Sequence, residues 1–534
     1  MPPIRTVLLL VAFALLLPQV TRAQTHYQPY SIADDPAFQS LLRRLDAQDA
    51  EIRRLRAVQH PAYGQGPAYG QSPAYGQPPA YGQHPAYLQN AAVPVGSRYA
   101  DFGAYIPQVE ENSALIADLE KAMKNKASAG HKEATMKVVG RVHADAWGFP
   151  ENDSDIDLLE GGPGGPQSRL LFRRLRFGVR GDLPGNMQYR IEMEFAGGED
   201  SEFRDAWIGW NDLPYVQTLL IGNQKRPYGL DHLNSSRYNV FLERPFVIEG
   251  FNQDARRLGV ASYNVSDNER WTWRYGIYNQ RLVQDEGDYL SDNWQPELAG
   301  RLANTFWWDE CSDGRGYGHW AISGTAAFPG GPDSDNDPTG PDKSEAQFRT
   351  RPEARSSTRW LDTGIIDGVN NYTLLGAEGV LNFGPLQIVG EYQHVWVNRV
   401  TGVGDDLGFY GGYIYASYFL TGEHMPWNRK RGVLGRVKPF ENYFAVRTCD
   451  GAVERGIGAW QIAARYSYAD FHDADVLGGV GESFTFGLNW YWTPYARMQF
   501  NYIHGEIENN GVTQDPLVLS GNYDILGARF MVDF

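Results

Sequence analysis

The sequence predicts an all-β fold: a transmembrane antiparallel β-barrel of about 16 strands, preceded by a short coiled-coil helix and a disordered Pro/Gly/Tyr repeat linker. Three observations carry this. From Met136 to the end, segments of about ten residues alternate apolar and polar positions. Short turns ("DLPGNM", "NDLPY", "VSDNE", "NFGPL", "WTPYA") broadly alternate with long Gly/Asp-rich connections at 151–168, 227–254, 329–359 and 509–522. The final segment, "YDILGARFMVDF", puts Leu526, Ala528, Phe530, Val532 and Phe534 on one face.

Composition agrees. The 534 residues carry a formal charge of -16, which argues against nucleic acid as partner. Aromatics at 13% and 59 glycines suit strands and turns. Mean hydropathy is -0.46, and beyond the N-terminus no apolar run approaches the ~20 residues of a spanning helix. Barrel strands alternate and so average out as hydrophilic. The C-terminal Phe with its alternation resembles the assembly signal of outer-membrane barrels.

Four segments follow in order. Residues 1–23 read as a secretory signal peptide, with Arg5, the apolar run 7–17 and small residues around Thr21 and Ala23. Residues 24–59 hold a short coiled-coil oligomerisation segment: Phe38, Leu45 and Ile52 are spaced as a positions, Leu41, Gln48 and Leu55 as d positions. Residues 60–134 contain the PAYGQ repeat, starting at Pro61, Pro67, Pro73, Pro79 and Pro85, and a polar helix near 113–126. Proline in each unit denies the repeat helix or sheet. Its regularly spaced tyrosines also allow an envelope tether, with residues 24–134 reaching cell wall or another partner. Residues 135–534 are the barrel.

Strands are expected to begin near Lys137, Leu170, Met187, Phe203, Gln217, Arg256, Arg270, Trp294, His319, Asn371, Pro385, Gly408, Gly456, Ser483, Tyr495 and Tyr523. The long link 423–458 breaks the rhythm, because a short turn is due there. Trp207, Trp210, Trp307, Trp308, Trp490, Tyr491, Trp492 and Tyr495 lie near strand ends and suit interfacial aromatic girdles.

The segment "LLFRRLRFGVRG" shows what the lumen demands. Period two puts Leu171, Leu175, Phe177 and Val179 on the lipid face and Arg174, Arg176 and Arg180 on the other, with Arg173 on the apolar side. Arginine on a lipid face would cost about 2–4 kcal/mol at midplane, whereas in a wet lumen it stays hydrated.

The ordered set "VVGRVHADAW", "LFRRLRFGVRG", "FRDAWIGW", "LLIGNQKRPYGLDHLNSSRYNVFLERP", "ARRLGV", "RTRPEAR", "YFLTGE", "VKPFE", "GAWQIAARYSY" and "GLNWYWTPYARMQFNY" resembles the phosphate- and pyrophosphate-selective porins O and P, over about 136–534. The resemblance implies a homotrimer of 16-stranded barrels in outer-membrane lipid, a constriction made by an inward-folded loop, and an arginine ladder that feeds small anions such as phosphate to a lysine-bearing eyelet. The ladder is matched by Arg141, Arg173, Arg174, Arg349 and Arg351, with Arg355 nearby. Of the eyelet lysines, one falls on Lys438, one on Asn428 beside Arg429 and Lys430, and one on His232. The constriction acid falls on Arg204 or Asp205, and Asp231 with Ser235 or Ser236 would face the passage. His232, with a reference pKa near ~6.5, would be charged in part. Anion passage is therefore the expectation, and general diffusion the alternative.

Cys311 and Cys449 fall on the periplasmic side by strand count and are candidates for a disulfide. Asp333, Asp335 and Asp337 echo the start of an EF-hand but lack its glycine and final glutamate, so no metal is expected. No hydrolase elbow, P-loop or zinc signature stands out, and neither enzyme nor cofactor is expected.

Overall fold

The computed structural model describes residues 133–534 except 163, 197–200, 253–254, 284–293, 331–343, 448–450 and 512–517. The chain divides into two units, Met1–Gly96 and Ser97–Phe534, and every described residue belongs to the second. The signal, coiled-coil, repeat and polar-helix expectations, the cell-wall contact, Cys449 and Asp333, Asp335 and Asp337 all lie outside the described residues.

Sixteen antiparallel strands close into one barrel. They are β1 Lys137–Asn152, β2 Arg169–Leu183, β3 Met187–Glu194, β4 Glu202–Leu213, β5 Gln217–Lys225, β6 Arg256–Val265, β7 Trp271–Asn279, β8 Pro296–Trp308, β9 Gly316–Ala327, β10 Val369–Phe383, β11 Leu386–Arg399, β12 Leu407–Phe419, β13 Ala459–Asp473, β14 Val476–Thr493, β15 Ala496–Asn510 and β16 Leu519–Asp533. Each pairs with its chain neighbour, and β16 returns to β1, with Arg141 opposite Asp533 and Asn152 opposite Tyr523. Closure leaves no edge unpaired, which a lipid environment requires.

Outward positions are apolar: Leu170, Phe177, Ile322, Leu375, Ile414, Phe486 and Leu526 are exposed. Inward positions on these strands and their neighbours are polar and buried, among them Glu378, Gln393, Ser483, Thr485, Asn489, Gln499 and Arg529. Polar-in, apolar-out is the inverse of a soluble sandwich and the pattern of a membrane barrel.

Two strands begin well before their expected starts, at Val476 rather than Ser483 and at Leu519 rather than Tyr523. In the first, the glycines of "VLGGVGE" hide the alternation that marks a strand. They serve close approach instead: a Cβ on Gly481 would stand 3.0 Å from Leu361 Cδ1 and 3.4 Å from Phe246 Cζ, both on segments inside the barrel.

Three connections fill the interior. The segment 226–255 carries α2 (Leu230–Leu233) and α3 (Phe246–Phe251); the earlier α1 is Ser154–Leu159. The segment 344–368 contains two small pairings, Glu345–Ala346 with Ile366–Asp367 and Arg349–Thr350 with Leu361–Asp362. The long link 420–458 turns back into the barrel through a third, Trp427–Asn428 with Val433–Leu434. That link is long at the short-turn end because it fills the lumen instead of only joining neighbours. Tyr228, Leu230, Phe241 and Phe246 of the first segment, Phe348, Trp360 and Leu361 of the second, and Trp427 and Leu434 of the third share one apolar cluster with the wall.

The aromatic expectation needs correction. Tyr491 faces inward and donates to Gln461 Oε1 at 3.0 Å, and Trp207 and Tyr495 line the interior cavity. Trp490 and Trp492 do sit in a ring cluster, 4.9 Å from Trp460 and 5.3 Å from Phe530 respectively.

Candidate functional site

The interior encloses a cavity of about 1190 Å³. Seventeen arginines and three lysines line it against five carboxylates, so an acidic chain holds a strongly positive hollow.

The local cause begins in β2. Pairing with β1 runs regularly from Lys137 opposite Arg180 to His143 opposite Arg174, then jumps to Ala144 opposite Phe172. Arg173 is the extra residue of a β-bulge, which resets the alternation of faces. Period two assigned Arg173 and Leu171 to the lipid face. The bulge instead brings Arg173 and Arg174 side by side into the cavity, turns Leu171 inward and exposes Leu170 and Phe172.

Most of these arginines carry a partner. Arg141 donates to Ser236 Oγ at 2.9 Å and to both oxygens of Glu192 at 3.2 Å. Arg176 reaches Glu194 at 2.6 Å and Glu192 at 3.4 Å. Arg173 forks onto Glu243 at 2.8 and 3.0 Å. Arg351 stands 3.6 Å from Glu249 and donates to the Ser356 carbonyl. Others do not: among the described residues Arg174 meets only the ring of His143, at 3.3 Å. Arg180, Arg349, Arg355 and Arg359 line the cavity with no carboxylate partner among the described residues. The Arg173 cation and then burial push Arg355 down to about 10, so it stays protonated at neutral pH.

The expected eyelet is arranged differently. Lys438 is exposed and outside the cavity lining, while Asn428, Lys430 and Arg431 of the same link do line it. Asp231 is also outside the lining and stands 3.5 Å from Arg244. Asp205 is the acid of its pair, gripped by Arg256 at 3.1 and 3.0 Å and approached by Arg190 at 3.3 Å; Arg204 lines the cavity as a cation. Ser235 and Ser236 line it as expected. Cys311 is an exposed free thiol.

The family model of the phosphate-selective porins O and P matches residues 136–534, essentially the whole barrel. The chain belongs to this family. A Caulobacter vibrioides protein is 26% identical over 407 residues, covering 75% of this chain and 74% of its own. Among solved structures, the trimer form of OmpT from Vibrio cholerae aligns with a TM-score of 0.45 at 12% identity, covering 76% of this chain and 100% of its own. The anion-selective porin from Comamonas acidovorans aligns at 0.43 and 14%, covering 75% and 100%.

His232 of this porin is buried at 2% exposure, its ring stacked on Tyr228 with centroids 5.2 Å apart. Burial, then Lys225, Arg226, Arg244 and Arg256, hold its pKa well below 6.5. The folded loop keeps the imidazole neutral, while an unfolded chain takes up a proton near 6.5. The resulting stability is full above that pH and declines as pH falls through it. Reversal potentials will therefore be flat between pH 8 and 6.5, with His232→Gln tracking the wild type. A step near 6.5 that the substitution removes would make His232 a titrating pore group instead.

Sequence reading missed several lining cations of the porin. Arg190 and Arg274 follow the same period-two signal as β2, in "YRIEME" and "WTWRYG", and were legible there. Arg244, Arg359 and Arg431 sit on interior segments with no periodicity to mark them. Lys225 is a different kind of residue. Its ammonium donates to the carbonyls of His232, Leu233 and Asn234 at 2.6, 3.2 and 2.9 Å, satisfying the C-terminus of α2.

Proposed function

We propose that this outer-membrane porin works as a homotrimer and passes small anions, phosphate or polyphosphate, by diffusion along its arginine-lined interior. The inverted charge of the cavity is the observation that supports this most. Twenty cationic side chains against five acids, walled by low-dielectric protein, concentrate anions relative to bulk. Guanidinium suits an oxyanion because its fork meets two oxygens and it never deprotonates. Carboxylates beside Arg141, Arg176 and Arg351 temper their attraction, so a solute meets several moderate sites in series rather than one trap.

The test is reversal potential in a planar bilayer under a KCl gradient, followed by phosphate titration. Arg174→Ala and Arg351→Ala are each expected to lower the anion-to-cation permeability ratio severalfold while the barrel still folds. Arg174, lacking an acid partner, should have the larger effect. Folded channels without anion preference would reduce the protein to a general diffusion porin.

A further inference from the structure

Arg173 already holds an anion, and that anion belongs to the protein. The Glu243 carboxylate accepts both arms of the Arg173 fork at 2.8 and 3.0 Å, and a third bond from Arg529 at 2.6 Å. It lines the cavity beside Arg174 and Arg355, two of the lining cations with no carboxylate of their own among the described residues. Burial works against its ionisation, but Arg173, Arg529 and Arg174 outweigh burial and hold it well below the usual carboxylate range.

The carboxylate is not what fastens its segment. The Val240 carbonyl accepts from Asn489 at 2.9 Å and from Gln499 at 3.0 Å. The Asn239 carbonyl accepts from Arg497 at 2.7 Å, and the Glu243 carbonyl from Arg465 at 3.1 Å. Arg529 has its own acid, Asp145, at 2.6 Å for both bonds. With the backbone pinned by the wall, the Glu243 side chain is free to serve another purpose.

We infer that Glu243 is a tethered competitor: its carboxylate occupies the Arg173 fork that an incoming oxyanion would otherwise take, and so sets how tightly the porin holds its solute. This rests on the anion reading proposed above. A carboxylate and a phosphate face present the same two-oxygen edge to guanidinium, so they compete for one geometry. Chloride has no such edge and gains less when the fork is freed. The tether thus weakens oxyanions more than halides, keeping the site loose enough to release what it attracts.

The experiment compares wild type, Glu243→Gln and Glu243→Asp in planar bilayers, with chloride current titrated by inorganic phosphate. Resistance to SDS before heating checks that each barrel is folded. In Glu243→Gln the half-blocking phosphate concentration is expected to fall about tenfold, the worth of one charge-assisted bond. Glu243→Asp, which keeps the charge, should stay near wild type, and sulfate should follow phosphate. A purely structural Glu243 would move the midpoint the other way, because a loosened segment holds solute less well. Block in wild type with an unchanged or raised midpoint in Glu243→Gln overturns this inference alone. No phosphate block in either overturns it together with the anion reading.

Discussion

Glu353→Ala will loosen the arginine-bearing segment 344–368 inside the barrel and lower the anion preference severalfold. Glu353 is fully buried. One carboxylate oxygen accepts from the hydroxyls of Ser483 and Thr485 at 3.1 and 3.2 Å and from Arg465; the other accepts from the Phe246 amide at 3.3 Å. Its backbone sits at φ 57°, a left-handed conformation that a non-glycine residue holds only when its surroundings insist. Removing the carboxylate leaves the Arg465 guanidinium buried over Phe241 with no acid, a loss of about 3–5 kcal/mol for a broken buried pair. Glu160 still holds the later half of the segment through Ser357, Thr358 and Trp360, but the two-residue pairings cannot offset the loss around Arg349–Thr350. Arg349, Arg351 and Arg355 would then leave their places in the cavity together. Limited proteolysis of the folded porin should cut within 344–368, and reversal potential should drop toward the unselective value. Glu353→Gln, which keeps most hydrogen bonds but not the charge, should fall between. Wild-type digestion and selectivity in Glu353→Ala would refute the assignment of Glu353 as the anchor.

The sequence carried the barrel because alternation is a property of each strand alone. Ile322, Leu375 and Phe486 outside, Ser323, Leu374 and Thr485 inside, can be assigned without knowing any partner strand. The same rule failed at Arg173, since a bulge is defined by two strands and only the pairing with β1 reveals it. It failed again at Val476, where glycine runs mean turn in isolation but closeness to an interior segment in the fold. The cations of the site were legible because they are many and many lie on strands. Most of their acids were not: Glu243 and Glu353 reach arginines 70 and 112 positions away from interior segments, and nothing local marks them. The interior segments also escaped, as Lys438 illustrates. Resemblance placed a pore cation there, while the backbone of that link brings Lys430 and Arg431 to the cavity instead.

The same buried-pair logic predicts the largest effect on the barrel itself at Arg529. It is fully buried on β16, the closing strand, and donates to both oxygens of Asp145 on β1, to Glu243 and to the Leu242 carbonyl. It therefore ties the first strand to the last and, through the Leu242 carbonyl, to the interior segment. Arg529→Leu fits the volume but leaves the buried Asp145 without its guanidinium, its remaining side-chain donor among the described residues being Trp147 Nε1 at 3.2 Å. The expected cost is again about 3–5 kcal/mol, read as a lower urea midpoint for the refolded barrel and a lower temperature of conversion on SDS gels. Asp145→Leu alone should cost less, because Arg529 keeps Glu243. The double substitution Asp145→Leu/Arg529→Leu should recover a large part of the loss, because it removes both charges and Glu243 retains Arg173. A double variant as unstable as the sum of the singles would mean that the two side chains act independently. The seam would then be held by the β1–β16 ladder and the Leu242 contact rather than by the ion pair.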